Sequence, residues 1–329
     1  MSWNSVIGQR RVKDLLVSTL TANRLAHAYV FSGPEGTGKD AAAIELAKTL
    51  NCQAKGTEAC DRCPSCLKFA SLQHPNLHLI FALPVGKGEK VGDGPMAKLA
   101  EEEAAAVLEQ LSLKAADPYH VISVPRASTI KINSIRELRK ESSLASFMEG
   151  KRVFLIIDAE NLNDEASNAI LKTLEEPHED TMLILTVPSS DLLLPTILSR
   201  CQHVRFAPLE EKEIAQALQE RKGIPAAQAG VVAQLAGGSN SRAVRSLDTD
   251  LAARRAEAVE YLRCALFRAK TDLFAWNDRA AVDYTKEELD ELLVILQSWL
   301  RDSLLLREGE QLVAHHDDAE AVAKFSAAY

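Results

Sequence analysis

Two short stretches of this chain combine residue types with spacings that imply chemistry. The first is Gly33-Pro34-Glu35-Gly36-Thr37-Gly38-Lys39-Asp40, which fits Gly-x-x-x-x-Gly-Lys. Glycines at 33, 36 and 38 let backbone amides approach phosphate oxygens, and Lys39 neutralises those oxygens as a point charge. In loops of this kind the next residue carries a hydroxyl that holds the magnesium of a bound nucleotide. Here that residue is Asp40, which puts negative charge beside the phosphates. The candidate nucleotide site is therefore Gly33, Gly36, Thr37, Gly38, Lys39 and Asp40, in degenerate form, and Asp40 speaks against hydrolysis. ATP in this site is a doubtful ligand for the same reason. The second stretch is Cys52, Cys60, Cys63 and Cys66, spaced Cys-x7-Cys-x2-Cys-x2-Cys. Four thiolates suit a tetrahedral zinc ion and leave no open position, so the site they imply is structural. Cys201 and Cys264 stand alone and read as ordinary buried cysteines.

A phosphate loop needs a strand before it and a helix after it. Ala28-Tyr29-Val30-Phe31 supplies a buried-strand pattern, and residues 41–50 a helical one. Further strands are expected at 77–83, 153–157, 182–187 and 204–206, and helices at 11–26, 132–143 and 163–175. Strands alternating with helices predict an α/β fold with a parallel sheet. Residues 84–119 break that rhythm with Gly86, Gly88, Gly92, Gly94 and Pro95. The run Glu101-Glu102-Glu103-Ala104-Ala105-Ala106 then reads as an exposed helix in an excursion of no assigned function. After Pro208 the strand signal stops. Short helices are expected at 210–222, 226–236 and 242–247. A mostly helical stretch follows from 251, with Trp276, Trp299 and residues 292–306 as apolar faces.

The chain has 329 residues, 47% hydrophobic and 26% charged, as an ordinary globular protein does. Its formal net charge of −8 excludes a generic polyanion binder. No apolar run is long enough to span a bilayer, so no membrane partner is expected. The N-terminal residues lack the layout of a secretory signal, and a cytoplasmic location is the expectation.

Taken together, the motifs resemble a known family, the bacterial DNA polymerase III clamp loader, a set of AAA+ proteins. The four-cysteine pattern directly after the first loop helix is similar to that family's zinc module. Asn168-Ala169-Ile170-Leu171-Lys172-Thr173-Leu174-Glu175-Glu176-Pro177 resembles its Asn-Ala-Leu-Leu-Lys-Thr-Leu-Glu-Glu-Pro signature. Pro195-Thr196-Ile197-Leu198-Ser199-Arg200-Cys201 resembles its Ser-Arg-Cys segment, and Trp3 to Gln9 its N-terminal box. The resemblance covers residues 1–250.

The resemblance implies an AAA+ phosphate-loop domain over 1–207 with a zinc module at about 51–67. It implies a small helical lid at 208–249 and a helical collar for oligomerisation at 250–329. Motor subunits of the family end the third strand in Asp-Glu, for magnesium and for water activation. Counting back from Asn168 puts Ile157 and Asp158 at those positions. A one-residue slip puts Asp158 and Ala159 there, and either register leaves the acidic pair incomplete. Arg200 corresponds to an arginine that acts in trans on a neighbour's ATP site. Arg242 resembles a lid-domain sensor arginine for the chain's own site. The implied role is that of a ring subunit without ATPase activity of its own, supporting the loading of a sliding clamp onto primed DNA. Implied partners are the gamma/tau and delta subunits, the sliding clamp, and primer-template DNA through the complex. Two other readings stay open: an active gamma/tau-type ATPase, and a DNA-binding module with a dead nucleotide site. Lys131, Arg136, Arg139 and Lys140 form a basic helix face suited to phosphate contact, diluted by Glu137 and Glu141.

Overall fold

The computed structural model describes residues 2–144, 149–247, 251–267, 270–308 and 319–328. It divides into two compact units, Met1–Leu209 and Glu210–Tyr329. The boundary expected at 249/250 lies outside the described residues.

The first unit is built on five parallel strands: β1 (Ala28–Ser32), β2 (Leu77–Ile80), β3 (Arg152–Ile156), β4 (Thr181–Val187) and β5 (Gln202–Arg205), ordered β2-β3-β4-β1-β5. Every residue of β1, β3 and β4 is buried. That is why these strands read as continuous apolar runs: helices cover both faces of the sheet. In β1 the register runs from Ala28 opposite Leu183 to Ser32 opposite Val187. β1, β3 and β4 therefore end at one edge of the sheet, where parallel α/β folds place their sites.

The helices of this unit are α1 (Arg10–Thr21), α2 (Lys39–Leu50), α3 (Pro64–Ala70), α4 (Glu101–Ala116), α5 (Ile132–Ser143), α6 (Asp164–Glu175) and α7 (Pro195–Leu198). α1 is shorter than the 11–26 pattern suggests, because the chain turns at Ala22 and Asn23 has a positive φ of 50°. In α2, Ala41, Ala42, Ala43 and Ala47 are all buried, and their small side chains let the helix lie close to the sheet. α4 runs ten residues beyond the exposed segment expected at 101–106, and its inner face buries Val107 and Lys114. The 84–119 excursion is thus packed on the core. Its first half is pinned by a buried ion pair, Lys131 Nζ to Glu89 Oε2 at 2.8 Å.

The second unit contains α8 (Glu211–Lys222), α9 (Ala226–Leu235), α10 (Asn240–Arg245), α11 (Leu251–Phe267), α12 (Lys270–Asp283), α13 (Lys286–Arg307) and α14 (Ala319–Ala328). α8 and α9 bury Ile214, Leu218, Val232 and Leu235. Ala258, Trp276, Ala280, Leu292, Ile295 and Leu296 form a second core. α13 splits the apolar run at 292–306 between two roles. Leu292, Ile295, Leu296 and Trp299 are buried, while Leu293, Leu300 and Leu304 line up exposed on the opposite side. Among the described residues no helix is long and apolar enough to cross a membrane.

Candidate functional site

The glycine loop leaves β1 at the sheet edge and enters α2. Gly33 must be glycine because a Cβ there would sit 2.4 Å from the carbonyl oxygen of Phe206. Gly38 has φ of 93°, and a Cβ would meet the Tyr119 hydroxyl at 2.5 Å. Lys39 is buried and folds back on the loop, donating to the carbonyls of Gly33 at 2.7 Å and Pro34 at 2.9 Å. Thr37 donates its hydroxyl to Pro34 O, and Gln9 Nε2 donates to Thr37 O. The loop's cationic side chain is thus engaged by loop carbonyls. Burial pushes the Lys39 pKa down against the opposing pull of Asp40, Asp158, Glu160 and Glu35.

Asp40 stands in the first turn of α2, where a carboxylate complements the helix dipole. Its partner is Lys114 of α4, Nζ to Oδ2 at 2.6 Å, with the lysine side chain 2% exposed. Lys114 also donates to His120 O at 2.7 Å. Burial pushes the Asp40 carboxyl up, but the Lys114 ammonium, with Lys39 and the Thr186 hydroxyl, holds the pKa below the ordinary range.

At the end of β3, Ile157 is core, 2% exposed, and Asp158 turns into the left-handed region with φ of 52°. The Asp158 amide donates to Thr186 Oγ1 of β4, the strand lying between β1 and β3. Burial, then the charges of Asp40 and Glu160, push the Asp158 carboxyl up to about 7. Burial likewise raises Glu160, whose Oε2 is buried without a hydrogen-bond partner among the described residues. Ala159 is buried between these two acids. Three carboxyl groups and two ammonium groups therefore share the sheet edge. Sequence reasoning found Asp40, Asp158 and Lys39 but missed Lys114, Tyr119 and Glu160.

The residues present do not fit a nucleotide-bound magnesium ion. Residue 40 offers a carboxylate already paired to an ammonium, and Lys39 is committed to loop carbonyls.

Arg200 follows α7 and is part-exposed at 35%. Its Nη2 donates to Glu175 Oε1 of α6 at 2.8 Å and its Nη1 to Thr196 O at 2.9 Å. Burial pushes the neighbouring Cys201 thiol up to about 12, which fits a packing residue. Arg242 lies in the second unit, where its Nη1 donates to Ala236 O at 3.2 Å. The basic face expected on α5 loses Lys131, which is buried and donates to Glu89 and to the carbonyls of Pro84 and Pro95. Arg136, Arg139 and Lys140 remain exposed and line a groove with Lys172 and His178.

The sulfur atoms of Cys52, Cys60, Cys63 and Cys66 lie within 4.8 Å of one another and can hold a metal ion. Cys60 and Cys66 are 4.0 Å apart, close to the roughly 3.8 Å edge of a tetrahedral zinc–thiolate site. Cys63 caps α3 by accepting the Cys66 amide, and Cys52 accepts the Cys60 amide. Amides of Arg62 and Cys63 pull the Cys60 thiol down to about 6, so it is readily a thiolate.

A family model described as "DNA polymerase III, delta subunit" matches residues 8–210. The chain is 29% identical over 320 residues to "DNA polymerase III subunit delta'" of Bacillus subtilis (strain 168), covering 94% of this chain and 84% of that protein. It is 30% identical over 288 residues to "DNA polymerase III subunit gamma/tau" of Mycobacterium tuberculosis (strain ATCC 25618 / H37Rv), covering 86% of this chain and 42% of that protein. Among solved structures, the Thermotoga maritima RuvB Holliday junction branch migration motor aligns with a TM-score of 0.43 at 17% identity, covering 96% of this chain and 88% of that one. With more than half of its length matched by the family model, the chain belongs to the DNA polymerase III delta subunit family.

Proposed function

We propose that this chain is the delta-prime subunit of a cytoplasmic DNA polymerase III clamp loader. It is a ring member without turnover of its own that supports placing a sliding clamp on primed DNA. The observation that carries this reading is the likeness to a delta' subunit over 94% of the chain, with the family model across the phosphate-loop unit. The chemistry of the site supports it. Asp40 replaces the metal-binding hydroxyl and is neutralised from within, and the acidic pair after β3 is incomplete in either register, Ile157-Asp158 or Asp158-Ala159.

Arg200 then acts on a neighbour. Its guanidinium would offset charge developing on the phosphoryl group of an ATP held by a gamma/tau motor subunit. The pair with Glu175 is part-exposed on both sides, so it is weak enough to exchange for a phosphate oxygen. Zinc at the four cysteines would cross-link the end of α2 to α3 and carry no catalytic step. The exposed stripe of Leu293, Leu300 and Leu304 supplies an oligomer surface for the collar. Motor and delta subunits, the clamp, and primer-template DNA through the complex are the partners.

Reconstitution with purified gamma/tau, delta and clamp tests the reading. Arg200→Ala is expected to cause a large loss of DNA-stimulated ATP hydrolysis, since a trans arginine is worth about 10³-fold or more at its own seam. Lys39→Ala is expected to change it little, with assembly checked by size-exclusion chromatography. Severe and equal loss for Lys39→Ala would favour the motor reading, and no loss for Arg200→Ala would sink the trans arginine.

A further inference from the structure

The 84–119 segment plays no part in the function proposed above, yet it reaches the centre of the site. Lys114 is one of only two buried residues in α4, and it is a lysine. A buried ammonium is costly unless it is paired and hydrogen-bonded. Here it is both, through Asp40 Oδ2 at 2.6 Å and His120 O at 2.7 Å. Just beyond α4, Tyr119 is 4% exposed and lies against Gly38. Its hydroxyl accepts the Ile7 amide at 2.7 Å, which ties the N-terminal box to the loop through the excursion. The far end of the segment is fixed by Glu89, which accepts from Lys131 and from Asn133.

We infer that the 84–119 segment is a tethered occupant of the phosphate loop, with Lys114 serving as its resident cation and closing it to ATP–magnesium. This deepens the reading of a subunit without turnover, and rests on it only for the statement that closure does no harm to function. Magnesium demands oxygen ligands at about 2.0–2.1 Å in near-octahedral array. An ammonium already sits 2.6 Å from the one side-chain oxygen of residue 40 that faces α4. A divalent ion placed there would also meet the Lys114 charge at close range, which is repulsive in a site shielded from water. Without the metal, a triphosphate would bring its charge beside Asp40, Asp158 and Glu160. The segment thus supplies the positive charge that the acidic loop requires, at a fixed place and with no ligand to lose.

Fluorescent ATP binding by the full chain, with and without magnesium, tests the inference. Wild type should show no saturable binding up to about 1 mM nucleotide. Lys114→Met/Asp40→Thr removes both charges together and restores a hydroxyl at residue 40. That double variant should gain magnesium-dependent affinity by at least about tenfold, or ~1.4 kcal/mol. Binding by wild type as tight as by the double variant would overturn the inference. A second measurement needs no variant. Lysine acylation read by mass spectrometry should leave Lys114 unmodified in native wild type, whether or not ATP–magnesium is present. Labelling of Lys114 that rises with ATP–magnesium would mean the nucleotide displaces the segment, and closure would be wrong. The Arg200→Ala reconstitution is independent: its failure removes the trans arginine and leaves the closure result standing.

Discussion

Replacing Asp158 with asparagine should stabilise the first unit, and more so as pH rises. The carboxyl moves from an ordinary 3.8 to about 7 on folding because it is buried beside Asp40 and Glu160. An acid with a raised folded pKa favours folding fully below its unfolded value, and that advantage is lost as pH climbs to the folded value. The window here is therefore about pH 4 to 7. At about 1.36 kcal/mol per unit, the full span is worth about 4 kcal/mol as an upper limit. Between about pH 5 and pH 8, linkage with these two pKa values gives a loss of roughly 3 kcal/mol in wild type. The Asp158→Asn side chain has no proton to exchange, so the variant escapes that loss. Urea unfolding at the two pH values, read by pulse proteolysis of peptides within residues 2–209, isolates the first unit. The stability gap between variant and wild type should widen by up to roughly 3 kcal/mol on going to the higher pH. A gap that stays constant, or narrows, would show that Asp158 is ionised without penalty and that the acidic cluster is not the one described.

The four-cysteine cluster should carry about one zinc per chain by elemental analysis, and chelation should open residues 52–70 and expose four titratable thiols. Zero metal in protein purified without chelator would refute the zinc reading. Glu89→Ala should destabilise the excursion by about 3 kcal/mol, because it strands the buried Lys131 ammonium. The check is limited proteolysis, with faster cleavage expected inside 84–119 and unchanged cleavage counting against the anchor.

The sequence makes the loop legible because each requirement is local. Strand, glycines and helix follow one another within residues 28–50, and the four thiols fall within residues 52–66. The same holds for the strands at 153, 182 and 204, whose apolar runs need no partner to be recognised. Lys114 is illegible for the opposite reason. It lies 74 residues from Asp40, in a helix whose first turn is all glutamate and whose composition reads as solvent-exposed. No spacing rule connects the two. A physical signal does exist, since an acid at the buried start of α2 demands a cation. The sequence states the demand without naming the supplier. Lys131 fails in the reverse direction: it counts as one of a basic row by helical spacing, but the excursion covers it and Glu89 neutralises it. The acidic pair is ambiguous by one residue in the sequence, between Ile157-Asp158 and Asp158-Ala159. Ile157 is core just past β3, and Asp158 follows it in the left-handed region.

Asp40 and Lys114 are stable only as a pair. Restoring a hydroxyl at residue 40 alone would leave a buried ammonium without its counter-charge. Removing the lysine alone would leave a buried carboxylate beside two more acids. Either change costs about 3–5 kcal/mol, a large share of the roughly 5–15 kcal/mol margin of a typical domain. The loop is thus locked by two groups that must change together. A locked loop has one conformation where a nucleotide-driven loop has at least two, because there is no ligand whose arrival or loss shifts its equilibrium. That difference suits a subunit whose contribution lies at its outer surface. Arg200 follows α7, which packs on α6; under the proposed function, a core that does not cycle would hold that guanidinium in one place for a neighbouring motor subunit.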